Sequence, residues 1–368
     1  MDKSKVINGV FKSPLYTAIE LILSPECNLQ CAYCYMKRHN KFNESPKMSK
    51  EVIDKAIQVF KDHKQGSFRV ELFGGEPLLQ LDLVEYIAKI TKNDPQIESI
   101  IIPTNGYIVC SDYDTILNLI NNYPKLFLSL SVDGPYVDPI QRPSRENYSH
   151  LKLDYDKLFS LFYETQRCGF HPMVYAETVQ YLYQTFVFFV EHLSQSPAPI
   201  GDVLYLLQVR NEGTWTDERI DTLISESKKC LEFIKEHNID PGKSKFNMFQ
   251  GHSIVPRGLA CSLQTTLDVD WNGDIYPCHR LIYHQFYIGS IFDFDNLDVS
   301  KFAFFQYYHR HNNLVCQECK FAPSQMKYCM GGCLGAQYEY WKDPFIPIPD
   351  VCKMLRRYDV EVSDAINW

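Results

Sequence analysis

Six short, β-rich apolar runs alternate with helical stretches between about Thr17 and Tyr205, and this alternation constrains the fold more than any other feature of the chain. The runs are TAIELIL, FRVELFG, IESIIIPTNG, LFLSLSVDG, PMVYAETVQ and VLYLLQV. Between several of them the sequence has a helical period, as in Ser49 to His63, Leu81 to Lys92 and Asp114 to Asn121. Strands that alternate with helices in this way predict a parallel α/β architecture with six strands.

The character of the sequence changes near residue 240. A polar helix is predicted over about Thr216 to His237, and the segment Asn238-Ile-Asp-Pro-Gly-Lys-Ser that follows has the Pro, Gly and Ser content of a linker. Beyond it we expect loop-rich sequence, a turn at Trp271 to Asp274 and little helical period until the last twenty residues. This predicts an N-terminal extension (1–16), a parallel α/β core (17–240) and a loop-rich C-terminal domain (241–368).

The composition argues against several classes of protein and of partner. With 45% hydrophobic and 22% charged residues, the chain has the balance of a globular protein rather than of a disordered or fibrous one. The net charge of -8 provides no general attraction for nucleic acid or anionic lipid. No apolar run approaches the roughly 20 residues of a membrane span, and the opening MDKSKVINGVFKSPLY lacks the apolar core of a signal peptide. We therefore expect a cytoplasmic protein without nucleic-acid or membrane partners.

Thirteen cysteines are many for a reducing compartment, where clustered thiols are more often metal ligands or catalysts than disulfides. The first cluster, Cys27-x3-Cys31-x2-Cys34, follows the first predicted strand, and loops at the carboxyl ends of strands carry the active sites of β/α barrels. Three thiolates this close can hold one metal cluster and leave a fourth position open for a substrate or cofactor. Three free thiols, or a zinc ion with one outside ligand, are the alternatives that this spacing leaves open.

A second motif, Phe73-Gly74-Gly75-Glu76-Pro77, follows the second strand. With it, the chain resembles the radical SAM superfamily, whose C-x3-C-x2-C motif is matched by the first cysteine cluster, with the aromatic Tyr33 just before the last cysteine. The resemblance implies a partial (β/α)6 TIM barrel for the core, a 4Fe-4S cluster on the three clustered cysteines, and binding of S-adenosyl-L-methionine (SAM) at a site that includes Tyr33. It further implies that Gly74 and Gly75 let the backbone approach the methionyl amino group of SAM, from which Glu76 accepts a hydrogen bond.

Two further elements lie at later strand ends. Thr104-Asn105-Gly106 ends the third run, and Ser129-Leu-Ser131-Val-Asp133-Gly134-Pro135 ends the fourth, with an arginine downstream. The resemblance implies that Asn105 belongs to the SAM site and that Ser131 and Arg142 hold the carboxylate and ribose end of SAM, which a guanidinium can bind bidentately. The alternatives are that Asn105-Gly106 and Asp133-Gly134 are ordinary turns and that Arg145 takes the place of Arg142.

Seven cysteines of the C-terminal region suffice for two metal sites. Their pattern resembles the SPASM extension of radical SAM enzymes, a cysteine-rich module with two auxiliary 4Fe-4S clusters that occurs in peptide- and protein-modifying members. Carried over, the resemblance assigns an inner cluster, nearer the active site, to Cys261, Cys278 and Cys333. It assigns an outer cluster to Cys316, Cys319, Cys329 and Cys352. A zinc ribbon is the alternative that the spacing leaves open.

Two departures from the SPASM pattern bear on the ligand sets. The spacing between Cys319 and Cys329 is longer than usual, and no cysteine lies shortly before Cys261, so we expect an open iron in the inner cluster. Three cysteines fit no ligand pattern and are expected to be small buried hydrophobes: Cys110, Cys168 and Cys230. Cys230 is also a candidate for the missing ligand.

The resemblance implies oxidative radical chemistry. Reductive cleavage of SAM yields a 5'-deoxyadenosyl radical that abstracts a hydrogen atom, and two auxiliary clusters favour net oxidation. We therefore expect a maturase that crosslinks a ribosomally synthesised precursor peptide through a thioether, carbon-carbon or carbon-oxygen bond, with flavodoxin or ferredoxin as electron donor. Because only some sixteen residues precede the first strand, an N-terminal winged-helix domain for peptide recognition is not expected.

Two other functions compete with this prediction. The first is a sulfatase-maturating, formylglycine-generating enzyme, in which an acid-base Asp follows the cysteine that corresponds to Cys278. This chain has His279 there, which counts against that activity, and we interpret His279 either as a proton acceptor or as a donor to cluster sulfur. The second, an iron-sulfur electron carrier or zinc-stabilised binding protein, leaves the Gly-Gly-Glu-Pro motif and the segment from Ser131 to Arg142 unexplained.

Overall fold

Four parallel strands form the first part of the central sheet. The computed structural model describes residues 3–13, 16–36, 46–208, 215–239, 262–308, 313–319 and 332–362. The four strands are β1 (Ala18–Ser24), β2 (Phe68–Gly74), β3 (Ile97–Thr104) and β4 (Leu126–Leu130). They pair in that order and in parallel, and β1 is buried along its whole length. Four of the six predicted runs are thereby confirmed, and continuous burial is what a central parallel strand requires.

The last two predicted strands are short and interrupted. The segments involved are β5 (Cys168–Phe170), β6 (Met173–Val174) and β7 (Leu207–Gln208). β5 pairs with β4, one parallel bridge joins Phe170 to Leu204, and β6 pairs with β7. The predicted fifth run, PMVYAETVQ, is wrong in its extent, because the strand begins before Pro172 and Ala176–Tyr181 is a 3-10 helix. Proline has no N–H to give to a ladder, which accounts for the interruption.

Helices follow most of the strands. They are α1 (Lys3–Phe11), α2 (Lys50–His63), α3 (Leu81–Thr91), α4 (Tyr107–Ser111), α5 (Tyr113–Asn122), α6 (Asp138–Gln141), α7 (Tyr155–Thr165), α8 (Leu182–His192), α9 (Ile200–Val203) and α10 (Asp217–Glu236). Ser49 begins α2 by accepting a hydrogen bond from the Val52 N–H, and Thr216 begins α10 in the same way. The four predicted helices are confirmed within one or two residues at each end.

The C-terminal part extends the same sheet. Its described elements are β8 (Thr266–Val269), β9 (Asp274–Tyr276), β10 (Gly289–Ser290), α11 (Val299–Gln306), α12 (Leu314–Gln317), α13 (Leu334–Trp341) and α14 (Pro349–Glu361). β8 pairs in parallel with β1, so the strand order is β10-β9-β8-β1-β2-β3-β4-β5. The predicted turn at Trp271 to Asp274 joins β8 to β9, with Gly273 at φ 88°.

The expected lack of helical period before the last twenty residues concerns the sequence pattern, and two helices, α11 and α13, nevertheless precede those residues. Each is an eight-residue helix, too short for a period to stand out in the sequence. The predicted boundary near residue 240 stays a prediction. Among the helices that the described ranges contain, none combines the length and the hydropathy that a bilayer span requires.

The carboxyl ends of β1, β2, β3 and β4 meet at one edge of the sheet, which we call the carboxyl edge. The segments that follow these strands are residues 25–36, 75–80, 105–106 and 131–137. They contain the first cysteine cluster, the Gly-Gly-Glu-Pro motif and the two predicted turns. Parallel pairing therefore brings these motifs together, although they are far apart in the sequence.

Candidate functional site

The three clustered thiols lie in the segment 25–36, which we call the thiol loop. Cys27, Cys31 and Cys34 are half-buried free thiols. The Leu29 N–H points to the Cys27 sulfur at 3.4 Å, and the Cys34 N–H donates to the Cys31 carbonyl oxygen at 3.1 Å. Burial raises the pKa of Cys27, and it raises the pKa of Cys31 to about 12. Ionisation of Cys27 and Cys31 therefore depends on a nearby cation, such as the iron of a cluster.

Contacts between two loops explain the glycine pair after β2. The Gly75 N–H donates to the Ser24 carbonyl oxygen at 2.9 Å, and the Glu76 N–H donates to that of Glu26 at 2.8 Å. A Cβ atom on Gly74 would lie 2.2 Å from the Ser24 carbonyl oxygen, and one on Gly75 would lie 2.1 Å from that of Glu26. Gly75 is thus required by the close approach of the thiol loop, and Gly74 by the close approach of the end of β1. Their approach to the amino group of SAM stays a prediction.

Backbone hydrogen bonds also join the thiol loop to the segment after β4. The Gln30 N–H donates to the Pro143 carbonyl oxygen, and the Arg145 N–H donates to that of Asn28, both at 2.9 Å. The Arg145 guanidinium donates to the Leu29 carbonyl oxygen at 3.1 Å. Arg145 therefore binds the thiol loop, and its role as an alternative ligand of SAM stays a prediction.

Glu76 joins the segment after β2 to the end of β3. Its side-chain oxygens accept hydrogen bonds from the Leu78 N–H at 3.0 Å and the Asn105 N–H at 2.8 Å. Burial raises the pKa of Glu76 to about 7, although these hydrogen bonds favour the ionised form. The Asn105 side chain in turn donates to the side-chain oxygen of Asn28 at 2.7 Å. Glu76 thus positions Asn105, and any hydrogen bond to SAM would be additional.

Asn28 is a site residue that the sequence analysis does not single out. It is 0% exposed, and among the described residues its Nδ2 has no hydrogen-bond partner. A buried donor without a partner costs on the order of 1–3 kcal/mol, so this atom is suited to donate to a bound group. The available signal was its position, since an amide directly after Cys27 cannot lie far from whatever the thiols bind.

Arg142 is held by two carboxylates of its own chain. Its guanidinium donates to both side-chain oxygens of Asp133, with an Nη2–Oδ1 distance of 3.0 Å, and its Nε lies 3.5 Å from Asp138. The Tyr33 hydroxyl donates to the same Asp133 carboxylate at 2.9 Å, and the Tyr33 ring centre lies 5.4 Å from the guanidinium carbon. The Met173 N–H also donates to Asp133, at 2.6 Å. Asp133 is therefore the centre of a buried network that links the thiol loop to β4 and β6.

The alternative of ordinary turns is correct for the backbone. Gly106 has φ 82° and Gly134 has φ 101°, which favours glycine at both positions. The side chains that precede them nevertheless carry the contacts just described. Ser131 lies beside this group, because its N–H donates to the Thr104 carbonyl oxygen at 2.7 Å. All the residues predicted for SAM binding thus lie at or beside the carboxyl edge.

The structure describes only part of the C-terminal cysteine pattern. The members that it describes are present as thiols: Cys278, Cys316, Cys319, Cys333 and Cys352. Cys261 and Cys329 lie outside the described residues, and the assignment of the seven to two clusters stays a prediction. The three spare cysteines are buried in the core, as expected of small hydrophobes: Cys110, Cys168 and Cys230.

Arg280 connects two of the predicted inner ligands with the thiol loop. It follows Cys278 closely in the sequence, and its Nη1 lies 4.0 Å from the Cys333 sulfur. Its guanidinium carbon is 5.2 Å from the ring centre of Tyr35, the residue after Cys34. The predicted inner site therefore adjoins the thiol loop.

His279 packs against side chains of β1, β2 and β8. Its Nδ1 lies 2.9 Å from a carboxylate oxygen of Glu20 on β1 and 3.8 Å from one of Asp268 on β8. Its ring stacks on Phe73 with 4.3 Å between centres, and Tyr35 packs near it at 5.4 Å. Burial, and secondarily the charge of Glu20, raises the pKa of Asp268.

Glu20 and Asp268 are functional candidates that the sequence analysis misses. Glu20 and His279 are 259 positions apart, so no local pattern connects them. The ligand atoms of Glu20, Asp268 and His279 lie within 4.8 Å of one another. Whether His279 accepts a proton or donates to cluster sulfur stays a prediction, but its Nδ1 is engaged by Glu20.

Comparisons with known proteins agree with this geometry. Residues 21–187 match the model of the Radical SAM superfamily. The GTP 3',8-cyclase of Clostridium perfringens (strain SM101 / Type A) is 38% identical over 92 residues, which are 25% of this chain and only 28% of that protein. The radical SAM cyclopropyl synthase TigE of Paramaledivibacter caminithermalis is 22% identical over 358 residues, which cover 90% of this chain and 70% of that protein.

Two solved structures share the fold over nearly the whole chain. Native anSMEcpe with bound AdoMet and Cp18Cys peptide has a TM-score of 0.66 and 17% identity, covering 95% of this chain and 99% of that one. Streptococcus suis SuiB bound to precursor peptide SuiA has a TM-score of 0.63 and 16% identity, covering 94% and 77%. The predicted fold class is confirmed: a parallel-rich α/β core is followed by a cysteine-containing C-terminal region.

The described residues fit the groups that this superfamily binds, a 4Fe-4S cluster and SAM. Three free thiols lie in one loop, and a buried amide donor on Asn28 has no partner among the described residues. The loop is held against the glycine pair so closely that no Cβ atom fits between them. On the family match, the shared fold and this donor set, the chain contains a radical SAM domain.

Proposed function

We propose that this chain is a radical SAM peptide maturase that oxidatively modifies a ribosomally synthesised precursor peptide, by a thioether, carbon-carbon or carbon-oxygen crosslink. The observation that carries the proposal is the position of Arg280, which lies between the thiol loop and the C-terminal Cys333. Tyr35 directly follows Cys34, and the Arg280 guanidinium lies over the Tyr35 ring. The same guanidinium approaches the Cys333 sulfur, at 4.0 Å from Nη1. A substrate at the carboxyl edge would face both the thiol loop and Cys333.

In this proposal the chain supplies ligands and position. Cys27, Cys31 and Cys34 hold the first cluster, and the glycine pair with Glu76 holds the loop that carries them. When bound, the cluster and SAM supply a 5'-deoxyadenosyl radical that abstracts a hydrogen atom from carbon. The protein must place one C–H bond beside that radical and exclude water, which is a task of orientation more than of acid-base catalysis.

The C-terminal thiols serve the oxidative half of the reaction in this proposal. Cys261, Cys278 and Cys333 hold an inner auxiliary cluster, and Cys316, Cys319, Cys329 and Cys352 hold an outer one. Clusters at these positions accept the electron that a substrate radical must lose. The reductant that starts the cycle is a low-potential carrier such as flavodoxin or ferredoxin, and the proposed location is the cytoplasm.

The names of the compared structures support a peptide as the substrate class. anSMEcpe is described with a Cp18Cys peptide, and SuiB is described with the precursor peptide SuiA. Those statements concern those proteins, and at 16 to 17% identity they transfer only the fold. The substrate class of this chain is therefore tested directly.

The experiment is anaerobic reconstitution with iron and sulfide, followed by dithionite and SAM. We expect about twelve irons per chain for three 4Fe-4S clusters, and 5'-deoxyadenosine as a product. Cys27→Ala combined with Cys31→Ala and Cys34→Ala should remove about four irons and all 5'-deoxyadenosine. Cys168→Ala, in the buried core, is the matched control and should keep both.

Zinc in place of iron, with no 5'-deoxyadenosine, would reject the enzyme proposal. About four irons in the unmodified chain would reject the auxiliary clusters alone. A precursor peptide encoded beside this chain and a sulfatase-derived peptide then serve as separate substrates in mass spectrometry. A mass loss of two hydrogens in the precursor supports crosslinking, whereas formylglycine in the sulfatase peptide supports the competing activity.

A further inference from the structure

Arg280 occupies an unusual position for a buried arginine. Its side chain is only 13% exposed, and it lies between Tyr35 of the thiol loop and Cys333, a predicted ligand of the inner cluster. Its Nε donates to Glu339 at 2.9 Å and its Nη2 donates to the same carboxylate at 2.5 Å, while Nη1 lies 4.0 Å from the Cys333 sulfur. One edge of the guanidinium is thus satisfied by a carboxylate and the other is directed at a thiol.

The surrounding helix keeps this arrangement in place. Glu339 belongs to α13, its side chain is 0% exposed, and Cys333 immediately precedes that helix. A Cβ atom on Gly335 would lie 2.5 Å from the Arg280 Cβ and 3.0 Å from its Cδ. The aliphatic part of Arg280 therefore packs directly over the first turn of α13. The bidentate pair with Glu339 fixes the plane of the guanidinium.

We infer that Arg280 sets the reduction potential of the inner auxiliary cluster, with Glu339 limiting its effect. This inference rests on the proposed function, because it requires a cluster on Cys278 and Cys333. A fixed cation beside a ligand sulfur stabilises the reduced cluster, which carries one more negative charge than the oxidised one. The buried Glu339 carboxylate opposes this stabilisation.

The pair predicts shifts of opposite sign. Arg280→Gln removes the cation and should lower the midpoint potential of one cluster. We expect the reduction equilibrium constant to fall about tenfold, which corresponds to about 59 mV for one electron. Glu339→Gln removes the opposing charge and should raise the same potential. Arg280→Lys keeps the charge, so its potential should stay within about threefold of the unmodified protein.

The test is an anaerobic redox titration followed by electron paramagnetic resonance, on full-length reconstituted protein with iron counted for every variant. Opposite shifts of one cluster, with the potential of the first cluster unchanged, support the inference. Shifts of the same sign, equal shifts of all clusters, or no shift at full iron content overturn it. A tenfold change in Arg280→Lys also overturns it, even if the two neutral variants lose the cluster.

Iron content separates this inference from the proposed function. If the unmodified protein binds only about four irons, the auxiliary clusters are absent and the inference about Arg280 fails with them, whereas formation of 5'-deoxyadenosine would still support SAM cleavage at the first cluster. If it binds about twelve irons and the potentials do not move, only the role of Arg280 fails.

Discussion

The thiol loop, which carries Cys27, Cys31 and Cys34, and the C-terminal segment that carries Cys278 and Cys333 are held in place by different means. The thiol loop is joined to its neighbours largely by backbone hydrogen bonds, such as that from the Glu76 N–H to the Glu26 carbonyl oxygen. The segment after Cys278 is joined by side chains, because His279 contacts Glu20 and Arg280 contacts Glu339. Backbone contacts tolerate most substitutions, whereas side-chain contacts depend on single residues. The thiol loop should therefore fail only where a substitution blocks backbone approach or breaks its buried network.

The largest effect is expected at the centre of that network. Asp133→Asn leaves the buried Arg142 with Asp138 as its only remaining carboxylate partner among the described residues. Breaking a buried ion pair in this way costs about 3–5 kcal/mol of unfolding free energy, measurable by urea denaturation. Asp82→Asn, which breaks the exposed pair with Lys47, is the control and should cost below about 1 kcal/mol. Equal losses in the two variants would show that the network does not stabilise the edge.

Gly75→Ala tests the backbone contact itself. The new Cβ would lie 2.1 Å from the Glu26 carbonyl oxygen, so the thiol loop must move away from β2. We expect a loss on the order of 3 kcal/mol in urea denaturation and a lower iron content after reconstitution. Gly9→Ala in α1, whose nearest neighbour would be the Tyr307 hydroxyl at 3.4 Å, should be nearly neutral. A normal iron content in Gly75→Ala would contradict the claim that this contact holds the loop.

Acid should weaken a side-chain contact between Ser129 on β4 and His171, which follows β5. The Ser129 hydroxyl and His171 Nδ1 are 2.7 Å apart, and burial lowers the pKa of His171 to about 4. Its ordinary pKa is about 6.5, so between these values the unfolded chain binds the proton and the folded chain does not. The unfolding free energy should therefore fall as the pH drops below about 6.5, by about 2 kcal/mol at pH 5.

His171→Asn should remove that part of the pH dependence. Urea denaturation between pH 7 and pH 4.5 is the measurement. An unchanged acid slope in the variant would assign the loss of stability to other groups.

The smallest effect is expected on the C-terminal segment. Gly335→Ala places a Cβ 2.5 Å from the Arg280 Cβ, which side-chain rotation cannot move, so residue 280 and the start of α13 must shift apart, by less than the 2.1 Å contact of Gly75→Ala demands. We expect a loss of about 1–2 kcal/mol of unfolding free energy in urea denaturation. We also expect the midpoint potential of the inner auxiliary cluster to shift as in Arg280→Gln. A loss larger than that of Gly75→Ala would reverse the comparison between the two regions.

Parts of this architecture follow from local patterns. The apolar runs of β1 to β4 are long enough, and their flanking helices periodic enough, to predict the strands and their parallel arrangement. The fifth run fails because Pro172 interrupts it and the rest of the run turns into a 3-10 helix. The spacing of the first cysteines, taken with the Gly-Gly-Glu-Pro motif, similarly predicts that the thiol loop lies beside the residues expected to bind SAM.

The residues that hold the site are harder to predict. The sequence predicts a turn at Asp133, and the structure has a turn there. The Asp133 carboxylate nevertheless accepts a hydrogen bond from Tyr33, which lies in a loop 100 positions earlier. Arg142 reads as a ligand of SAM, and it is engaged by Asp133 and Asp138. Each of these contacts depends on which strand ends become neighbours, and a linear pattern carries that information only indirectly.

The parallel strands and the thiols available for iron could be predicted from the sequence alone, because periodicity and close cysteine spacing are local properties, and the resemblance to the radical SAM superfamily likewise rests on short motifs. Three features could be known only from the tertiary structure. Glu20 contacts His279, and Arg280 lies between Tyr35 and Cys333. Asn28 has a buried donor without a partner among the described residues. The first two of these features depend on the pairing of β8 beside β1, which brings the C-terminal segment close to β1 and the thiol loop. Long-range pairing of this kind is driven by burial of whole strands, and side chains acquire their partners as a consequence.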